Sequence, residues 1–147
     1  MNIIFLVMFI FLLELNKGMA FHDLKYYDLT EKIIGAAMKV HRYFGPGFQE
    51  IVYKRALMIE LDNIPLAYIY EYEKEIFYEE KLISKRRLDL LVENKVLVEL
   101  KATTETDNGD WNQIINYLKI FKIEVGLLLN FGSKSLQYKR FVNSNLK

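Results

Sequence analysis

The sequence predicts a mixed α/β fold in which a central β-sheet is flanked by helices. Three observations predict it: two helical patterns come first, several aromatic or β-branched runs follow, and a third helical pattern precedes another apolar run. With 147 residues, 52% of them hydrophobic and 27% charged, the chain fits one domain with its own core. Its sequence contains no repeat, low-complexity tract or internal linker.

Residues 1–18 form an apolar leader ahead of the single domain that we assign to residues 19–147. The apolar run from Ile3 to Leu13 is shorter than the about 20 residues of a spanning helix, and no basic residue precedes it as in a secretory signal. Three interpretations stay open: a weak anchor or signal, a buried or disordered helix, and an upstream extension with the true start at Met19. A Met19 start makes the protein cytoplasmic, whereas a genuine leader would allow anchoring or secretion.

Two helices are predicted before the sheet. Asp28-Leu29-Thr30-Glu31 has the pattern of a capping box, and apolar residues follow at helical spacing from Ile33 to Val40. Gly45-Pro46-Gly47 should end this helix, because Pro cannot continue it and Gly tolerates a reversal. A second helix is predicted over Gln49–Asn63, and Pro65 marks its end.

Strands are predicted in the middle of the chain, where aromatic and β-branched runs alternate with polar residues. The four runs are Tyr68–Tyr72, Glu75–Tyr78, Arg86–Val92 and Val96–Lys101. The last two should form a hairpin around Glu93-Asn94-Lys95. A third helix over Asp110–Phe121, a buried strand over Val125–Asn130 and an edge strand over Leu136–Val142 complete the fold.

Composition excludes several kinds of site. Zero cysteines rule out a disulfide framework, a zinc ribbon and a thiolate nucleophile. The sequence contains only two histidines, His22 and His41, which are too few for a His-rich zinc site and make a His-based triad unfavourable. A net charge of +1 gives no whole-molecule attraction to polyanions, so binding to nucleic acid would need a local cluster of Lys and Arg.

The candidate chemistry lies in the predicted hairpin Arg86–Lys101. Asp89 interrupts an apolar strand, and Glu99 and Lys101 point to one face of the next strand. The turn brings Asp89 across from Glu99 or one residue away, so two carboxylates and an ammonium converge. Such a group suits Mg²⁺, with Lys101 acting on a water that the ion activates. The alternative is a partly exposed hairpin face with ordinary cross-strand ion pairs.

A basic run, Lys85-Arg86-Arg87, lies just before this group. Arg87 is two residues from Asp89 and so shares its face, where it could hold a phosphate. A solvated strand end would give the same pattern.

Two further pairs lie on predicted helices. Gln113 and Tyr117 are four apart and share a face, which can present an amide and a phenol to a substrate, although Tyr117 could also be a core aromatic. Glu50 lies in the first turn of the second helix with Tyr53 one turn later. Simple compensation of the helix dipole would also explain Glu50.

Taken in order, these segments resemble the GxxExxY family, which is grouped with the PD-(D/E)xK nuclease superfamily. Gly47, Glu50 and Tyr53 in GPGFQEIVY match the signature that gives the family its name. The other matching blocks are RRLDLLVE with Asp89, VELKA with Glu99 to Lys101, QIINYLK with Gln113 and Tyr117, and GLLLNFGSKSLQYKR. The resemblance extends from about Leu29 to Arg140.

The resemblance implies a restriction-endonuclease-like core with a metal site on the hairpin. Asp89 and Glu99 would bind Mg²⁺, for which Mn²⁺ could substitute, and the backbone carbonyl of Leu100 would complete the shell. Lys101 would act on the attacking water, and Glu50 would add a carboxylate from its helix.

The resemblance also assigns the residues around that site. Gln113 and Tyr117 match the extra motif of RecB-like exonucleases. Asp110 stands where the pattern has His, so no role is carried over to it. Contacts with nucleic acid are expected from Lys85, Arg86, Arg87 and Tyr53.

The sequence therefore predicts a Mg²⁺-dependent nuclease acting on DNA or RNA, with DNA favoured. A chain of this size has little surface left for reading sequence, so a homodimer or a protein partner could supply specificity. Two alternatives stay open: a non-catalytic nucleic-acid-binding or interaction protein with the same fold, and a membrane-anchored interaction protein whose leader inserts. The complete set of site residues favours the enzyme, and no membrane partner is expected.

Overall fold

A computed structural model of the chain describes residues 2–4, 6–7 and 24–146. Its helices and strands are α1 (Tyr27–Phe44), α2 (Glu50–Asn63), β1 (Tyr68–Tyr78), β2 (Lys81–Val92), β3 (Val96–Lys101), α3 (Asn108–Phe121), β4 (Val125–Asn130) and β5 (Gln137–Val142). The expectations for residues 1–18 fall mostly on residues outside the described ranges. Within those ranges, no helix has the length and apolar character needed to cross a bilayer.

The strands form one mixed sheet in the order β1-β2-β3-β4-β5. Neighbouring strands are antiparallel except β3 and β4, which are parallel because α3 carries the chain back before β4 begins. The predicted hairpin of β2 and β3 is confirmed, with Glu93, Asn94 and Lys95 between the paired residues Val92 and Val96.

Helices cover both faces of the sheet, as the sequence predicts. Successive side chains of a strand point to opposite faces. Val98 and Leu127 pack with α1 and α2, while Leu97 and Leu128 pack with α3. The result is a three-layer α/β/α arrangement in which Asp89 of β2 contacts α2 and the end of β3, at Lys101, contacts α3.

One long strand replaces two predicted ones. The sequence predicts separate strands over Tyr68–Tyr72 and Glu75–Tyr78, because Glu73 and Lys74 resemble a polar turn. In the structure both residues pair with β2, and β1 runs without a break from Tyr68 to Tyr78. Polar residues are tolerated there because β1 is an edge strand and much of its length is exposed.

The capping box predicted at the start of α1 is wrong, although the helix itself is present. The helix follows Tyr26, which has φ 58° and makes no side-chain capping bond. The Thr30 hydroxyl donates to the backbone carbonyl of Tyr27 instead. Asp28, the predicted cap, is thus already inside the helix, and Glu31 lies one turn further along.

Candidate functional site

Asp89 and Glu99 meet at the end of the β2–β3 pairing. The register of β2 and β3 runs from Val92 opposite Val96 to Leu90 opposite Val98, and one further step places Asp89 opposite Glu99. The Asp89 N–H donates to Glu99 Oε1 at 3.0 Å, and the Leu100 N–H donates to Asp89 Oδ2 at 2.9 Å. The expectation that the turn brings the two carboxylates together is confirmed.

Glu99 is a buried acid beside a second acid. Its side chain lies in β3 with only 5% of the residue exposed. Burial, and next the charge of Asp89, raises the pKa of the Glu99 carboxyl well above its ordinary value, while the charge of Lys101 acts in the opposite direction. The pair therefore lacks full compensation by the positive charges around it.

Lys101 is held by residues of α3. Its Nζ donates to Gln113 Oε1 at 2.9 Å, and Gln113 Nε2 donates to Tyr117 Oη at 3.1 Å. Gln113 and Tyr117 thus share a helix face, as their spacing predicts. Tyr117 is also a core aromatic, since it is only 8% exposed and packs in the cluster beneath α3.

Asp110 links the start of α3 to Lys101. Asp107 and Asp110 form a capping box in which each side chain accepts the backbone N–H of the other, at 3.0 and 3.1 Å. Asp110 Oδ1 also lies 3.4 Å from Lys101 Nζ. Asp110, to which the sequence assigns no role, therefore helps to hold the Lys101 ammonium in place.

Glu50 is the first residue of α2 and faces the same group of charges. Partial burial raises the pKa of Glu50; the charge of Lys101 lowers this pKa and the charge of Asp89 raises it. The backbone of Ala102 lies near the carboxyl and also acts to lower the pKa of Glu50. These interactions place Glu50 beside the hairpin acids, as the resemblance implies, at the start of a helix that also favours its charge.

Lys54 is a site residue that the sequence does not reveal by itself. Its Nζ lies 3.5 Å from Asp89 Oδ1 and 3.2 Å from Glu71 Oε1, and its side chain is 12% exposed. Lys54 is four residues after Glu50 and so on the same helix face, which is the signal that could have found it.

Tyr53 is fully buried and closes the turn between α1 and α2. Its hydroxyl donates to the Gly45 carbonyl at 2.6 Å and accepts the Phe48 N–H at 3.1 Å, while its ring stacks on Phe131 with 4.7 Å between centroids. Gly47 has φ 107°, which favours glycine. Contrary to the sequence expectation, Tyr53 has no free surface for a nucleic acid, and it instead positions the start of α2.

The basic run of β2 lies along the exposed hairpin. Lys85 Nζ is 3.4 Å from Glu73 and from Glu75, and Arg87 is 4.0 Å from Glu73. Arg86 donates to the Ser84 hydroxyl at 2.6 Å. Lys54, not Arg87, is the cation beside Asp89. Exposed ion pairs of this kind are weak, so a phosphate could replace Glu73 and Glu75 as the partner of these cations.

Asn130 ties the segment after β3 to the end of β4. Its Oδ1 accepts the N–H of Thr103 at 3.0 Å and of Gly132 at 3.1 Å, and its Nδ2 donates to Ser133 Oγ at 3.3 Å and Gln137 Oε1 at 3.0 Å. A Cβ at Gly132 would lie 2.3 Å from the Thr103 carbonyl oxygen, so glycine is required for this approach. Asn130 is 1% exposed.

The donor atoms fit a hard divalent cation. Within the described ranges, no three side chains of the His, Cys, Asp and Glu types are arranged to hold a metal together. Asp89 and Glu99 nevertheless supply adjacent carboxylate oxygens, which Mg²⁺ and Mn²⁺ prefer, and their incompletely balanced charge favours a cation. Leu100 lies between Glu99 and Lys101, with its N–H bonded to Asp89.

Comparisons with known proteins identify the superfamily of the chain. A protein-family model described as the PD-(D/E)XK nuclease superfamily matches residues 27–141. The crystal structure of SSO0001 matches with a TM-score of 0.49 and 23% identity over 63% of this chain. The match covers 48% of that chain, so this chain spans about half its length. No curated protein matches.

Proposed function

The chain belongs to the PD-(D/E)XK nuclease superfamily, and from that premise we propose that it is a metal-dependent nuclease that hydrolyses phosphodiester bonds. The superfamily implies a nucleic-acid substrate, and its nucleases generally use divalent metals. Within the superfamily we assign the chain to the GxxExxY family. Gly47, Glu50 and Tyr53 support this assignment, because they form the turn and helix start that bring a carboxylate to the hairpin.

The observation that carries the proposal is the arrangement of Asp89, Glu99 and Lys101. The two acids are joined by a hydrogen bond from the Asp89 backbone, and Lys101 follows Glu99 by two residues and so shares its face. A structural ion pair would not need a buried acid with a raised pKa beside a second acid. Perturbed groups that converge in this way are typical of catalytic sites.

Asp89 and Glu99 are the residues that would hold the ion, and we propose Mg²⁺, for which Mn²⁺ could substitute. Glu50 adds negative charge from α2. When bound, such an ion supplies Lewis-acid activation of water and neutralises charge at the phosphate.

The remaining residues position Lys101 and the substrate. Lys101 keeps its ammonium beside the acids, where it can bind the attacking water or a phosphate oxygen. Gln113 and Asp110 fix that ammonium, and Tyr117 fixes Gln113. Lys85 and Arg87 can bind the polymer backbone, with DNA as the favoured substrate.

Cleavage assays test the proposal. The full chain is incubated with labelled single- and double-stranded DNA and RNA in Mg²⁺, Mn²⁺ or chelator, beside Asp89→Asn and a control, Asp28→Asn, at an exposed position of α1. The proposal predicts cutting that needs the metal and is lost only in Asp89→Asn. Binding without cutting would indicate a non-catalytic nucleic-acid-binding protein, and cutting in chelator would contradict the metal requirement.

A further inference from the structure

A cavity of about 490 Å³ opens on the α3 side of the sheet, between α3 and the start of β5. Its lining includes Thr106, Trp111, Leu128, Gln137, Tyr138 and Lys139. None of these residues takes part in the proposed hydrolysis. A volume of this size is within the range of small-molecule sites.

The strand register places this cavity beside the hairpin acids. Glu99 pairs with Leu128 of β4, and Leu128 pairs with Lys139 of β5, so the three residues form one row across the sheet. Side chains in such a row share a face, and Leu128 packs beneath α3. Strands are about 4.8 Å apart, which puts the Lys139 backbone roughly 10 Å from that of Glu99.

The N-terminal turn of α3 contacts both the candidate site and the cavity. Trp111 follows Asp110, whose carboxylate lies 3.4 Å from Lys101 Nζ. A nucleic-acid strand that lies across the candidate site therefore reaches the cavity within about one or two nucleotides, given the roughly 10 Å between the backbones of Glu99 and Lys139.

The cavity combines an aromatic ring and a cation, and the carboxylate of Glu105 lies at its lining as well. Lys139 Nζ lies 3.5 Å from the centroid of the Trp111 ring. Trp111 Nε1 is buried and has no acceptor among the residues that the structure describes. Because this N–H is covered by protein, a ligand in the cavity would meet the Trp111 ring and not its N–H. Stacking on an aromatic ring and a phosphate contact are together the chemistry of a nucleotide.

We propose that this cavity binds the base of a nucleotide next to the phosphate at Asp89 and Glu99, with Lys139 on the adjoining backbone phosphate. The base replaces the Lys139 ammonium on the Trp111 ring. A paired base cannot enter without leaving its duplex, so the substrate is a single-stranded or frayed strand. The identity of the polymer rests on the proposed function.

The single tryptophan provides a direct readout, because the sequence contains one Trp and it lines the cavity. The full chain in chelator is titrated with a labelled eight-nucleotide oligothymidylate, a blunt duplex and an abasic oligomer of the same length. Label anisotropy reports binding, and Trp111 emission reports occupation of the cavity. The proposal predicts saturable quenching by the single strand and much less by the duplex or the abasic oligomer.

Two variants separate stacking from charge. Trp111→Leu should weaken binding of the single strand by about tenfold while leaving abasic binding unchanged. Lys139→Ala should lower the slope of log K against log salt by about 0.7, whereas Lys119→Ala, more than two turns along α3, should not. Trp111→Phe tests the same contact if the Leu variant unfolds.

The outcomes distinguish this proposal from the nuclease assignment. Binding without any change in Trp111 emission, equal quenching by the abasic oligomer, or no response to any oligomer would overturn the base-binding cavity. Saturable quenching by the single strand, with no cutting when Mg²⁺ is added, would support the cavity and contradict the nuclease.

Discussion

Asp89 and Glu99 are linked across two strands by a hydrogen bond of 3.0 Å from the Asp89 backbone to Glu99 Oε1. The reciprocal contact runs from the Leu100 N–H to Asp89 Oδ2. These bonds fix both carboxylates at the end of the β2–β3 pairing that lies away from the turn. The site is therefore built into the fold, and the charge that it concentrates makes its stability depend on pH and on cations.

Stability of the metal-free protein should fall as the pH rises, through Glu99. The raised pKa means that the folded state holds this proton more tightly than the unfolded chain, whose Glu has a pKa near 4.5. The contribution is present below about pH 4.5 and is lost as the pH rises through the folded pKa. Glu99→Gln should remove this pH dependence. It should also stabilise the protein at neutral pH by roughly 1–3 kcal/mol, because a neutral amide replaces a buried acid.

Urea unfolding in chelator across this pH range provides the measurement. Glu80→Gln, in the exposed turn between β1 and β2, is the matched control. Parallel pH profiles for the wild type and Glu99→Gln would show that Glu99 is ionised without cost.

Magnesium should raise the melting temperature of the wild type. An ion that binds only the folded state, present at ten times its Kd, raises the free energy of unfolding by about 1.4 kcal/mol. This corresponds to a rise in melting temperature of about 3–6 °C for a domain of this size. Asp89→Asn should abolish the rise, and Asp28→Asn should keep it. A wild-type melting curve that ignores millimolar Mg²⁺ and Mn²⁺ would contradict the metal assignment.

Lys54→Gln should strengthen binding of Mg²⁺ while destabilising the metal-free protein. Lys54 lies 3.5 Å from Asp89 Oδ1 and competes with a cation for that carboxylate. Its removal should lower the Kd for Mg²⁺ by roughly 3–10-fold. Isothermal titration measures the change, with Lys39→Gln on α1, paired with Glu60, as the control. An unchanged or weaker affinity would show that Lys54 supports the site.

The hairpin and its acids were predictable because their determinants are local. A three-residue turn between two apolar runs sets the register, and the period of two then assigns Asp89 and Glu99 to neighbouring positions. The spacing of Gln113 and Tyr117 likewise determines their shared helix face. Strand pairing and helix periodicity thus carried most of the site.

Contacts between distant elements were not predictable in this way. Lys54 shares a helix face with Glu50, but its contact with Asp89 also depends on how α2 packs against the sheet, which the spacing alone does not give. The burial of Tyr53 depends on Phe131, which is far along the chain. Asn130 looks like an ordinary strand end, although it anchors the segment that follows β3.

Asn130→Asp should destabilise the protein by about 3 kcal/mol. The change keeps the acceptor for Thr103 and Gly132 but replaces the donor to Ser133 and Gln137 with a buried charge. Urea unfolding at neutral pH measures the loss. Asn112→Asp, an exposed position of α3, is the isosteric control. A difference of less than about 0.5 kcal/mol between the two variants would show that the network is dispensable.

We propose that Lys101 serves chemistry and not folding or metal binding. The most direct test of this role is the single-turnover cleavage rate of Lys101→Ala against the wild type and Lys119→Ala, in saturating Mg²⁺. We predict a loss of at least about 100-fold for Lys101→Ala alone, the scale of one removed electrostatic stabiliser, with the Mg²⁺-induced rise in melting temperature retained. A single-turnover cleavage rate in Lys101→Ala equal to that of the wild type would contradict the role proposed for Lys101.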